Sequence, residues 1–365
     1  MSIFNATDGT SFPTVSQAIT ASSAGDVILI PTGLYVEEFP RITHSLTLEG
    51  VGGMAQLRTP NATPANDRAV LMVPFNAGAD LTVRNLEVFG ASRPIYTNGA
   101  GILFEVGNGS LRVYDSWFHD NENGILVGDG TDIVEIVRSE FSFNGNPTHT
   151  LVAPAAPAHN LYVNKANSLT VRDSYFHSVR TNHELKSRAA VTTITNSRFV
   201  DGADSEGSYS IDLPNGGVAR IENNVIVKGP QSVNRYIVHY GGEPVTPWPG
   251  SSLDIIGNII INERDGGATA LFNQSRDGPA GFSFPARLVD NTFYNVSELV
   301  RTGFGPSPLT LTGNVMLTGA APAVSSAPPW QSSVAAVPEP ASVLLLAGAL
   351  LAGLAARGRR ALRGA

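Results

Sequence analysis

Between Leu81 and Thr318 one unit is written nine times: LTVRNLEVFG, LRVYDSWFHD, VEIVRSEFSF, LTVRDSYFHS, TTITNSRFVD, ARIENNVIVK, LDIIGNIIIN, ARLVDNTFYN and LTLTGNVMLT. Each is a short alternating strand, a polar pair rich in Asp, Asn, Ser and Gly, and a second alternating strand. Period-two alternation gives strands with one buried face. The units start 23–35 residues apart, which fits one coil of a solenoid. Two columns follow from the register. Ser116, Ser139, Ser174, Ser197, Asn224, Asn258, Asn291 and Asn314 stack at the bends, where a short polar side chain can bond the turn amides of its neighbours. Two residues on, Phe118, Phe141, Phe176, Phe199, Ile226, Ile260, Phe293 and Met316 stack inside. Both columns are structural.

Composition agrees. Only 15% of the 365 residues are charged, Gly reaches 37 and Cys is absent. Short strands and tight turns suit that balance better than helices. Without Cys there are no disulfides and no thiolate metal ligands. The chain carries −7; the last 29 residues carry +3, which leaves the body near −10 and argues against nucleic acid as a partner. P-loop, dinucleotide, His-Glu-x-x-His and nucleophile-elbow patterns are absent from the sequence.

The opening DGTSFPTVSQAITAS, then GDVILIPTGLYVE and HSLTLEGVGG, resembles the start of pectate-lyase-like proteins. The resemblance spans residues 8 to 317 and implies a right-handed parallel β-helix over residues 1–317. Pro13 to Ser22 reads as a short amphipathic helix with Val15, Ala18 and Ile19 on one face, covering the open end of the first coil. Such folds serve lyases, hydrolases, epimerases, adhesins and inert scaffolds, so the fold leaves the function open.

A further set of strands precedes the polar-bend units: GILFE, GILVG, NLYVN, ELKSR, SIDLP, IVHYG and ALFNQ. Aligned on Ile102, Ile125, Leu161, Leu185, Ile211, Val238 and Leu271, they send a central column outward: Leu126, Tyr162, Lys186, Asp212, His239. Flanking columns place Asn160, Glu184 and Ser210 in one row and Asn164 with Arg188 in another. With coils about 4.8 Å apart, Lys186 reaches both Tyr162 and Asp212. Polysaccharide lyases and epimerases remove a proton beside a uronate carboxylate, which takes a base and a cation to hold the carboxylate. Lys186, Arg188, Tyr162 and His239 are the candidate catalytic groups, and Asp212 and Asn164 the candidate substrate ligands. NHELKSRA is loosely similar to a stretch of Ca²⁺-dependent alginate and chondroitin lyases. That resemblance implies Asn160 and Glu184 as Ca²⁺ ligands, although a second Glu is missing because Lys186 fills its slot. The competing expectation is a solvated ion-pair ladder on an exposed face, contributing roughly 0.2–1 kcal/mol per pair. His159 and His183 precede their strands and read as turn caps.

The last segment, VPEPASVLLLAGALLAGLAARGRRALR, has three parts: Pro338-Glu339-Pro340, an uncharged run from Ala341 to Ala356, and an arginine cluster with Arg357, Arg359 and Arg360. Sixteen apolar residues make a helix of about 24 Å, which spans a bilayer with snorkelling arginines. Arginines after the run stay cytoplasmic and leave the body outside. The order resembles the PEP-CTERM signal. It implies recognition by an exosortase, cleavage near the Pro-Glu-Pro triplet, transient anchoring in the inner membrane, and delivery to the cell surface or extracellular matrix. Such proteins open with a secretory signal; MSIFNATDGTSFPTV has neither basic nor apolar region, so a leader is expected upstream of Met1. The expected organisation is a β-helix (1–317), an Ala/Pro/Ser-rich linker (318–336) and the sorting signal (337–365). The expected role is binding or organising extracellular polysaccharide. The alternatives are a polysaccharide lyase or C5-epimerase acting on a uronate polymer through the Lys186 face, and a purely structural matrix protein or adhesin.

Overall fold

The computed structural model describes residues 2–93, 98–145, 158–243, 248–274, 284–303 and 308–330. It forms two compact units, Met1–Pro329 and Trp330–Ala365. The first is a parallel β-helix. Each coil gives two short strands, joined at the polar bend, to a 22-stranded sheet, and one strand to a nine-stranded sheet on the third face.

The bend is a two-residue device. Its first residue sits in the left-handed region: Asn85, Asp115, Arg138, Asp173, Asn196, Asn223 and Asp290 have φ between 45° and 56°. Asn and Asp tolerate this conformation best after Gly, which explains the composition of the pair. The second residue builds a ladder. Ser139 Oγ accepts the Ser116 N–H (3.2 Å), Asn224 Oδ1 that of Ser197 (2.8 Å), and Asn258 Oδ1 that of Asn224 (2.9 Å). Where Asn replaces Ser, each amide also donates to the next, as Asn258 does to Asn291 (2.9 Å). Inside, Phe118, Phe141, Phe176 and Phe199 stack at centroid spacings of 5.2, 4.6 and 4.9 Å. Met316 departs from its column's expected burial. It is 48% exposed, because it lies on the last coil, whose Leu309, Leu311 and Val315 are exposed too.

At the other end the helix Val15–Ala21 buries Val15, Ala18 and Ile19, and Thr14 caps it by accepting the Gln17 N–H. An antiparallel pair, Ile3–Asn5 with Ser11–Phe12, completes that cap. At the far end the described part of the linker turns back along the body. Arg198 Nη1 donates to the carbonyls of Ser325 (3.2 Å) and Ala327.

Candidate functional site

The nine-stranded sheet aligns as its pattern requires. Ile125, Leu161, Leu185, Ile211, Val238 and Leu271 pair coil to coil on the inner side. On the outer side Leu126, Tyr162, Lys186, Asp212, His239 and Phe272 form the column. Three short strands, Leu161–Val163, Leu185–Ser187 and Ile211–Leu213, therefore carry the centre of the site.

Outward does not mean solvated here. Asp212 is 1% and Lys186 7% exposed, which overturns the expectation of a solvated ladder. Asp212 is the hub: Oδ1 lies 2.6 Å from His239 Nδ1, and Oδ2 lies 3.1 Å from Lys186 Nζ and 3.3 Å from His183 Nε2. Burial alone would raise its carboxyl, but His183, His239 and Lys186 outweigh burial and hold it well below the usual carboxylate range. Burial likewise disfavours charged Lys186, yet Asp212 and Glu243 push it up. Lys186 is thus a held cation, a partner for anions and a poor proton acceptor.

Glu243 closes the cluster from outside the column. Its Oε1 lies 2.5 Å from Lys186 Nζ, and its Oε2 pairs with Arg188 Nη2. Arg188 also donates from Nε to the Tyr162 hydroxyl (2.9 Å) and from Nη1 to Asn215 Oδ1 (2.6 Å). Trp248 walls this side, donating Nε1–H to the Arg188 carbonyl. Burial opposes ionisation of Glu243, but Lys186 and Arg188 outweigh it and keep the carboxylate charged.

His159 and His183 do cap turns, and they do more. His159 Nδ1 accepts the His183 N–H (3.3 Å) and His183 Nδ1 accepts the Tyr209 N–H (3.1 Å). The backbone donor fixes the tautomer, so His183 turns a protonated Nε2 toward Asp212. Imidazolium could not accept at Nδ1. Burial lowers His183 to about 4, only partly offset by Asp212, and burial with His183 and Lys186 nearby lowers His159 well below its ordinary value.

Asn160 and Glu184 are placed elsewhere than expected. They precede their strands at a corner, where alternation loses its phase, and they point into it. Asn144 Nδ2 donates to Asn160 Oδ1 (2.7 Å), Asn160 Nδ2 to Glu184, and the Val179 N–H to Glu184 Oε1 (3.1 Å). Both residues are fully buried, with Lys228 and Asp201 behind them. Burial, then Asp201, raises the Glu184 carboxyl well above its ordinary range. Ca²⁺ does not fit here: N–H donors occupy the directions a cation would need. No group of three His, Asp or Glu suited to a metal occurs among the described residues. Asn164, half-buried past the end of its strand, stays outside the cluster. The sequence reading missed Glu243 and Asn215, which come from turns; the paired glycines after Asn215 (Gly216-Gly217) and before Glu243 (Gly241-Gly242) were the available signal.

Pro338, Glu339, Pro340, Arg357, Arg359 and Arg360 lie outside the described residues, as does the expected membrane helix. Among the described residues no helix is long and apolar enough to cross a membrane. Residues 336–360 match the PEP-CTERM protein-sorting motif. The chain thus carries a signal for exosortase recognition, export and sorting to the cell surface. No curated protein matches the sequence. Among solved structures the chain is similar to the ORF18 protein of Geobacillus virus E2, at 14% identity and TM-score 0.52, over 84% of this chain and 57% of that one. It is also similar to an alginate lyase from Paenibacillus sp. str. FPU-7 (16%, TM-score 0.45, 83% and 92% covered). The A-module of the Azotobacter vinelandii mannuronan C-5 epimerase AlgE6 is a third (16%, TM-score 0.39, 84% and 94% covered). At these identities the likeness concerns the fold alone.

Proposed function

We propose that this exported β-helix protein binds acidic polysaccharide at the cell surface through the Lys186–Arg188–Tyr162 face. One observation carries the reading: two cations, Lys186 on the strand Leu185–Ser187 and Arg188 just past its end, largely withdrawn from water, converge on the single carboxylate of Glu243. Lys186 and Arg188 also lie 5.6 and 5.9 Å from the centre of the Tyr162 ring, an apolar surface beside a charged clamp, as a sugar ring with a carboxylate requires. The sorting signal delivers that face to where anionic polymers lie. With Lys186 held protonated, binding is favoured over proton abstraction, and the lyase reading loses its leading base.

The test is Lys186→Met, which keeps the stem and removes the charge. Wild type should bind polyuronates in a salt-sensitive way and ignore neutral glucans. The variant should bind at least tenfold more weakly with a shallower salt dependence, roughly one contact's worth of electrostatics. Neither protein should generate the ultraviolet absorbance of unsaturated uronates. Equal binding by both proteins overturns the assignment of this face.

A further inference from the structure

Glu243 differs in kind from its neighbours. Lys186, Arg188 and Asp212 project from or beside the stacked strands, whereas Glu243 follows the strand Tyr236–Gly241 through Gly241 and Gly242, with φ of 77° and 94°. A Cβ on Gly242 would sit 2.7 Å from the Gln274 Cβ, so only glycine allows this return over the sheet. The Glu243 side chain is 32% exposed while those of Lys186 and Arg188 are 9% and 14%. Its backbone N–H donates to the Pro214 carbonyl over a long 3.4 Å. Its carboxylate gives one oxygen to each cation. Beside it Asn215, 1% exposed, spends Oδ1 on Arg188 and leaves Nδ2 buried without a partner among the described residues. A buried donor unsatisfied next to a shared carboxylate is a place where a further acceptor belongs.

We propose that Glu243 is a built-in stand-in for the carboxylate of an acidic sugar, occupying the Lys186–Arg188 subsite until a ligand displaces it. The proposal rests on the acidic-polysaccharide reading and adds how that site is regulated. With Glu243 in place Lys186, Arg188, Asp212 and Glu243 sum to zero. With Glu243 displaced they sum to +1, the charge that matches one uronate. A ligand hydroxyl would then take the Asn215 Nδ2–H, which Glu243 leaves unused. The intramolecular carboxylate competes at high effective concentration, so apparent affinity is lowered by the fraction of time the subsite is vacant.

The full-length chain in mild detergent, with Glu243→Ala and Glu243→Gln, tests this with sodium glucuronate as probe, glucose and matched sodium chloride as controls, and thermal unfolding as readout. Glucuronate at ten times its dissociation constant should raise the midpoint of Glu243→Ala by roughly 2–4 °C and leave wild type nearly unmoved. Glu243→Gln, which keeps the shape, carries the test if the alanine variant does not fold: it should bind glucuronate at least tenfold more tightly than wild type by calorimetry. A folded variant that ignores glucuronate, or responds no more than wild type does, overturns the proposal. A variant stabilised by glucuronate while no polyuronate binds any form keeps the subsite and discards the polymer reading. Polyuronate bound equally by wild type and Glu243→Gln, without stabilisation of either variant, does the reverse.

Discussion

At the scale of single residues, the outer column was legible because alternation is a rigid rule: once Leu185 is inside, Lys186 is outside and stacks on Tyr162 and Asp212. Three things were not. Burial of the column was hidden, because Trp248 and Glu243 reach it from turns whose path no periodicity encodes. The corner positions of Asn160 and Glu184 were misassigned, because alternation holds only within a strand. And His183 was read as a cap without its second partner, Asp212. That partner comes with a pH signature. The neutral form of His183 is required in the fold and its value falls to about 4 from an ordinary 6.5. A lowered histidine stabilises fully above the unfolded value, and the contribution is lost as pH falls from 6.5 to 4. That amounts to about 3 kcal/mol. Glu184, raised rather than lowered, acts in the opposite sense, so variants must be compared rather than wild type alone. His183→Gln keeps an acceptor for Tyr209 and should flatten the decline over that window in urea unfolding. An unchanged pH slope would falsify the assignment.

At the scale of elements, the bend is the unit that the sequence spells most openly. A left-handed residue followed by a ladder residue recurs with little variation, and both choices have local causes. The two ladder chemistries predict different costs. Ser139 accepts one N–H and donates once, to the Val137 carbonyl at 3.0 Å. Asn258 accepts from the Asn224 backbone and side chain and donates to Ile221, Ile256 and Asn291. Replacing Ser139 by Ala strands one buried N–H and should cost about 1–2 kcal/mol; replacing Asn258 by Ala should cost about 3 kcal/mol or more. Urea midpoints at constant slope would measure both, and an equal cost would mean the Asn ladder adds nothing beyond its serine counterpart.

At the scale of the whole molecule, a capped amino-terminal end, an exposed last coil and a carboxy-terminal sorting motif give the chain a polarity that its repeats lack. We expect replacement of Pro338, Glu339 and Pro340 by alanine to leave the protein at full length in the inner-membrane fraction of a host with the matching exosortase. Normal processing of that variant, followed on immunoblots, would remove the triplet from the recognition element. Polarity also has a mechanical reading. Hydrogen bonds between coils run along the long axis, so a load applied through the C-terminal tail meets them one after another rather than all at once. The contacts of Arg198 with Ser325 and Ala327 lie in that path. The last coil, thinly packed and bonded on one side, yields next. Each coil that peels away pays out 23–35 residues of slack, roughly 80–120 Å of extended chain. Under tension this solenoid behaves as a wound tape that lengthens in steps from its C-terminal end, keeping the distal coils wound.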